Sequence, residues 1–123
     1  MKIWIIVPVL FAFMIGCAGV DHNLLVGNWQ LIELSEGGAP VEADIQVVRF
    51  HFDPNNQYQF HGTLNYKEAG TYYIDEQYLF TVDTLNRATT EKAVQIVHLT
   101  PDSLFLKMND GGKERLMKLV KVK

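Results

Sequence analysis

A single cysteine, Cys17, is the whole thiol content of the chain. No intramolecular disulfide can form from it, and no cysteine-based zinc site can be built. Whatever folds here must be held by core burial. Basic runs are also missing. Lys118, Lys121 and Lys123 are spread through the tail and alternate with apolar residues, the spacing of a solvated strand face. With a net charge of -3 and a pI near 5.7, the chain lacks the electrostatic footprint that nucleic acid requires. Beyond Val26 no segment carries a sustained helical stripe, which excludes bundle architectures. Gly37-Gly38 and Gly111-Gly112 lack the following helix that an anion site uses, so they read as turns. No nucleophile-elbow pattern is present, and the chain is not expected to be an enzyme.

What is present begins with a long apolar run. Lys2 precedes an uncharged stretch from Ile3 to Ile15. That is short of the ~20 residues needed to span a bilayer and fits the apolar region of a signal peptide. The run ends at Met14-Ile15-Gly16-Cys17. Gly16 and Ala18 also make a small-x-small pattern that ordinary secretory cleavage would use. Removing residues 1–16 takes away Lys2 alone among charged groups, leaving ten basic against fourteen acidic residues and a net charge of -4. Residues 17–23 read as a tether without structure, and residues 24–123 as one folded domain.

In that domain the apolar pattern has period two, punctuated by turn residues at regular intervals. The first strand runs from about Val26 to Ser35 and ends at Glu36-Gly37-Gly38-Ala39-Pro40. Val48, Phe50 and Phe52 alternate with Arg49 and His51. After the turn formers Asp53-Pro54-Asn55-Asn56 comes a second run from Tyr58. Pairing Phe52 with Tyr58 also pairs Phe50 with Phe60 on one face, and aromatic pairs of this kind add roughly 0.2–1 kcal/mol each. Further strands follow at Gly70–Ile74, Gln77–Val82, Lys92–Leu99, Leu104–Met108 and Glu114–Val122, with an exposed polar loop over residues 83–91. The fold class is all-β: an antiparallel up-and-down meander of about eight strands, which closes readily into a small barrel and so removes its edges.

Two stretches carry a resemblance. Met14-Ile15-Gly16-Cys17 resembles a bacterial lipobox, with Met14 where Leu is commoner. It implies cleavage before Cys17, acylation of that residue and a membrane as partner. The ordered set Leu25-Val26-Gly27-Asn28-Trp29-Gln30-Leu31, Phe50-His51-Phe52, Gly70-Thr71-Tyr72-Tyr73-Ile74 and Leu99 to Lys107, closed by a basic-hydrophobic strand, resembles the small lipocalin-like domains of bacterial lipoproteins of Bacteroidetes type. The resemblance implies that Gly27 and Trp29 sit at the closed end of the barrel under a basic side chain from the last strand, either Lys118 or Lys121. It also implies a lipid-anchored location in the cell envelope, at the outer membrane.

Candidate sites are few. His51 and His61 are diagonal neighbours on the polar face of the aromatic hairpin. A metal site needs a third ligand, and only Asp53 is near, so the reading is a solvated face with no metal and no cofactor. Glu33 lies two residues after Leu31 and four after Trp29. On an unbroken strand it points inward and could orient a ligand at the mouth, whereas a bulge would return it to solvent. Taking Tyr78, Phe80 and Val82 as the inward set of their strand, the ligand-binding candidates are Glu33, Phe52, Tyr58, Tyr72 and Phe80. The pocket is expected near Phe52 and Tyr58 if the turn between them lies at the open end. Two functions fit: a small hydrophobic ligand bound at the barrel mouth, or a filled-core barrel acting as a protein-interaction or structural component of the envelope. So many rings in a shallow cup leave little room, so long-chain fatty acids and haem should bind weakly or not at all.

Overall fold

The computed structural model describes residues 20–42, 44–88 and 90–123. Cys17 and the apolar run before it lie outside the described residues. A four-residue helix, α1 (His22–Leu25), leads into nine strands: β1 (Gly27–Glu36), β2 (Ala39–Pro40), β3 (Arg49–Phe52), β4 (Gln57–His61), β5 (Lys67–Asp75), β6 (Tyr78–Asp83), β7 (Lys92–Leu99), β8 (Ser103–Asp110) and β9 (Lys113–Val122). β2 is a two-residue extension on the tip of β1. The remaining eight strands pair antiparallel with their sequence neighbours, and β1 pairs with β9 to close the barrel.

The aromatic hairpin has the register that its alternation dictates, with Phe50 opposite Phe60 and Phe52 opposite Tyr58. Because Phe52 is also opposite Gly27, the turn after it lies at the end where β1 begins. Two tight turns at the other end use Gly37-Gly38 and Gly111-Gly112, all at positive φ. That is the backbone which two-residue hairpins demand.

Two bulges set which residues face inward. Between Leu31 and Glu33 the pairing of β1 with β9 shifts by one, and Ile32 is left over, 53% exposed. A bulge flips the alternation, so Leu34 returns to the core side while Ile32 and Glu33 face solvent. A second shift between Ile96 and His98 leaves Val97 outside. The core is one cluster of inward side chains: Trp29, Leu31, Phe52, Tyr58, Tyr72, Leu79, Leu104, Leu106 and Leu119, with Leu25 from α1.

Within the stretch expected as a tether, residues 20–23 are packed on the barrel, and His22 begins α1. Asp21 caps α1 by accepting a hydrogen bond from the Asn23 amide at 2.9 Å, and Leu25 is fully buried. A helix this short is marginal alone; burial of its one apolar side chain holds it. The segment lies across the end of the barrel. The Val20 amide donates to the Glu76 carbonyl of the β5–β6 turn, and the Leu24 and Val26 carbonyls reach β9.

Candidate functional site

The two ends of the barrel are chemically different. At the end covered by α1, Trp29 is wholly buried and its Nε1 donates to the Leu25 carbonyl at 2.8 Å. Lys121 lies over the indole, its Nζ 4.9 Å from the ring centroid, and donates to the Leu24 and Val26 carbonyls at 3.1 and 3.0 Å. Gly27 makes room for it: a Cβ there would come within 3.0 Å of Lys121 Cε. Phe52 packs edge-on to Tyr72. The Tyr72 hydroxyl donates to the Asp53 carbonyl at 2.7 Å and accepts from His22 Nε2 at 3.0 Å. Burial, then the charge of Asp53, pushes Tyr72 up to about 12. Among the described residues, this end is packed with fully buried side chains, Trp29, Phe52 and Leu25.

The opposite end is open. A cavity of about 230 Å3 is lined by Phe50, Tyr58, Phe60, Leu79, Val94, Leu106, Met108 and Met117, with Glu68, Thr81, Lys92 and Arg115 supplying the polar groups. A neighbouring recess of about 340 Å3 shares Phe60, Met108, Arg115 and Met117 with it. Glu68 is the unusual member, a carboxylate only 8% exposed that faces into the barrel. Its Oε1 accepts from the Tyr58 hydroxyl at 2.9 Å. Its Oε2 accepts from the Tyr66 hydroxyl and from Lys92 Nζ, both at 2.7 Å. A buried carboxylate is tolerated when its lone pairs are answered in this way.

The electrostatics follow from those contacts. Burial alone would raise the Glu68 pKa, but hydrogen bonds from Lys92, Tyr66 and Tyr58 outweigh it and hold the group below its ordinary value. The tyrosines pay the converse. Tyr66 is pushed up to about 12 by its bond to Glu68 and by burial, and burial and the same carboxylate push Tyr58 higher still. Beside this cluster, Arg115 Nε donates to Glu36 Oε2 at 2.7 Å, and Lys113 lies 3.6 Å from the other oxygen. Glu36 is accordingly lowered, chiefly by the Arg115 hydrogen bond.

Of the five ligand candidates, only Tyr58 lines this cavity. Glu33 is outside the barrel because of the bulge, 3.3 Å from Lys118 Nζ. Lys118 is also outside, over the Phe105 ring, so Lys121 is the base that covers Trp29. Phe80 is on the outer wall, stacked on Tyr73 at 4.9 Å, because Leu79, Thr81 and Asp83 take the inward positions of β6 in place of Tyr78, Phe80 and Val82. Phe52 and Tyr72 face inward but plug the closed end, since the Asp53–Asn56 turn lies there and not at the mouth.

Sequence reasoning missed Glu68 and Lys92. Both are signalled by period two: Ile74, Tyr72 and Gly70 continue back to Glu68, and Ile96 and Val94 continue back to Lys92. His51 and His61 are diagonal, opposite Gln59 and Arg49, and His51 Nδ1 is 2.7 Å from Asn28 Oδ1. Among the described residues no group of three metal-ligating side chains occurs. His98 meets Ser103 Oγ at 3.0 Å on the outer surface.

A family model for the lipocalin-like domain matches residues 25–106. The fold is similar to that of a lipocalin-like protein from Bacteroides uniformis ATCC 8492, at 15% identity and a TM-score of 0.62, over 80% of this chain and 99% of that one. It is also similar to an uncharacterized protein from Bacteroides eggerthii DSM 20697, at 17% identity and a TM-score of 0.54, over 79% of this chain and 98% of that one. No curated protein matches the chain.

Proposed function

This chain belongs to the lipocalin-like domain family, and on that premise we propose that it is an envelope lipoprotein whose barrel takes up a small hydrophobic molecule at its open end. The observation that carries the reading is the apolar cavity of about 230 Å3 at the mouth. Its size sets the ligand class. Drug-sized ligands occupy pockets of roughly 300–1,000 Å3, and a benzene fits one of about 150 Å3. A single ring with a short arm fits this cavity alone, whereas long-chain fatty acids, retinoids and haem would have to extend into the adjoining recess. Cys17 would carry the anchor, since two or three acyl chains bind a membrane stably at ~0.8 kcal/mol per buried methylene.

The test is a thermal-shift titration of the purified protein with small single-ring compounds beside fatty acids, retinoids and haem. A small ligand at a hundredfold excess over its dissociation constant stabilises by about 2.7 kcal/mol, well above detection. Stabilisation by haem or a long-chain acid alone would overturn the size argument. Membrane fractionation of wild type and Cys17→Ser tests the anchor. Wild type should partition with membranes, and a soluble wild type whose mature end lies beyond Cys17 would defeat it.

A second reading, a barrel acting through its outer surface, is favoured by one observation. Tyr73 and Phe80 stack on the outer wall with Tyr73 46% exposed. A null result across the whole panel would put that reading first.

A further inference from the structure

Glu68 and Lys92 are unequal partners. The carboxylate is held inside the cavity with its side chain 9% exposed, while the lysine that answers it is 59% exposed and comes in from the rim. Tyr58 and Tyr66 fix both carboxylate oxygens from the protein side, so the carboxylate stays in place whether or not Lys92 does. Phe50, Tyr58 and Phe60 wall the space beside it, and aromatic faces attract cations. Deepening the hydrophobic-ligand reading, on which this rests, we infer that the mouth binds a small primary ammonium with a compact apolar body, whose nitrogen takes the place that the Lys92 ammonium now holds against Glu68.

The exchange costs little on the protein side. Lys92 needs only to swing its largely exposed chain into water, where an ammonium is well solvated. The incoming ammonium restores the same ion pair to a buried carboxylate and brings apolar surface that a lysine stem leaves outside. An anionic ligand has no such route. It would either sit beside Glu68 or draw Lys92 away and leave a buried carboxylate without its cation, the costly way to break a buried pair. Arg115, the other cation of the lining, has its Nε on Glu36.

The experiment is calorimetric titration of the purified protein with three compounds that share one ring: 2-phenylethylamine, 2-phenylethanol and phenylacetate. The amine should bind about tenfold more tightly than the alcohol, a difference calorimetry resolves easily, and the carboxylate most weakly. Lys92→Met, checked for folding by its melting curve, removes the internal competitor and should widen the preference for the amine over the alcohol beyond that of wild type. Glu68→Gln, checked for folding in the same way, should bring the amine down to the level of the alcohol. If the alcohol binds but the amine is no tighter in wild type and in Lys92→Met, or if the carboxylate binds best, the ammonium assignment fails and the hydrophobic-ligand reading survives. If none of the three binds any of the proteins, the ammonium assignment fails, and the hydrophobic-ligand reading falls with it only if the thermal-shift panel is also null.

Discussion

The closed and open ends of the barrel are made by the same strands and solve opposite problems. β9 shows this most directly. Its inward residues run from Arg115 at the mouth through Met117 and Leu119 to Lys121 at the base. At the base the cation is clasped by two carbonyls and an indole, beside the fully buried Trp29, Phe52 and Leu25. At the mouth the charges surround a void, and a carboxylate faces inward where the base has rings. The filled end is expected to supply more of the stability than the partly empty one.

Three substitutions test that division, in descending order of effect. Trp29→Ala empties the closed end and should cost roughly 3–5 kcal/mol, which lowers the melting temperature by more than about 10 °C. Lys121→Met removes the cation over Trp29 and leaves two carbonyls without their donor, so chemical denaturation should show a loss of about 1–3 kcal/mol. No loss would mean that the clasp is decorative. Val94→Ala, beside space that already exists at the mouth, should cost only about 1–2 kcal/mol. A loss equal to that of Trp29→Ala would break the comparison.

The mouth is tested by acid. A carboxylate held below its ordinary pKa adds stability that is fully present above the ordinary carboxylate range and is lost as pH falls through the lowered value. Melting temperature should therefore fall on acidification, and less steeply in Glu68→Gln. Parallel curves would remove Glu68 from the account. In alkali, Tyr66 should ionise near 12 in wild type and closer to an ordinary tyrosine in Glu68→Gln, while Tyr72 at the other end stays put.

The fold was legible where a local pattern had only one consistent solution. In the aromatic hairpin, one register pairs Phe50 with Phe60 and Phe52 with Tyr58 together, and that register is present. β6 was not legible in the same way. Tyr78, Phe80 and Val82 look as inward as Leu79, Thr81 and Asp83, and the choice is made by neighbours distant in sequence. Tyr73 opposes Phe80 outside, while Asp83 accepts from the Ala69 and Asn86 amides. The bulge that turns Glu33 outward is likewise a property of the β1–β9 pairing and not of β1 alone. Glu68 escaped because a charged residue beyond a strand's apolar run reads as solvent-facing. Two of the groups that make it tolerable inside, Tyr58 and Lys92, are ten and twenty-four residues away.

The segment laid across the closed end also places Val20 at that end of the barrel. Val20 is pinned to the β5–β6 turn, and Cys17 is three residues upstream. Extended chain spans at most ~3.3–3.6 Å per residue, so Cys17 can lie no farther than about 10 Å from Val20. With Cys17 acylated, the protein would stand on the bilayer base-down, like a cup on a table, with its rim turned to the water. A guest would then enter from the aqueous side without passing through lipid, which suits a small charged amine better than a molecule drawn from the membrane beneath.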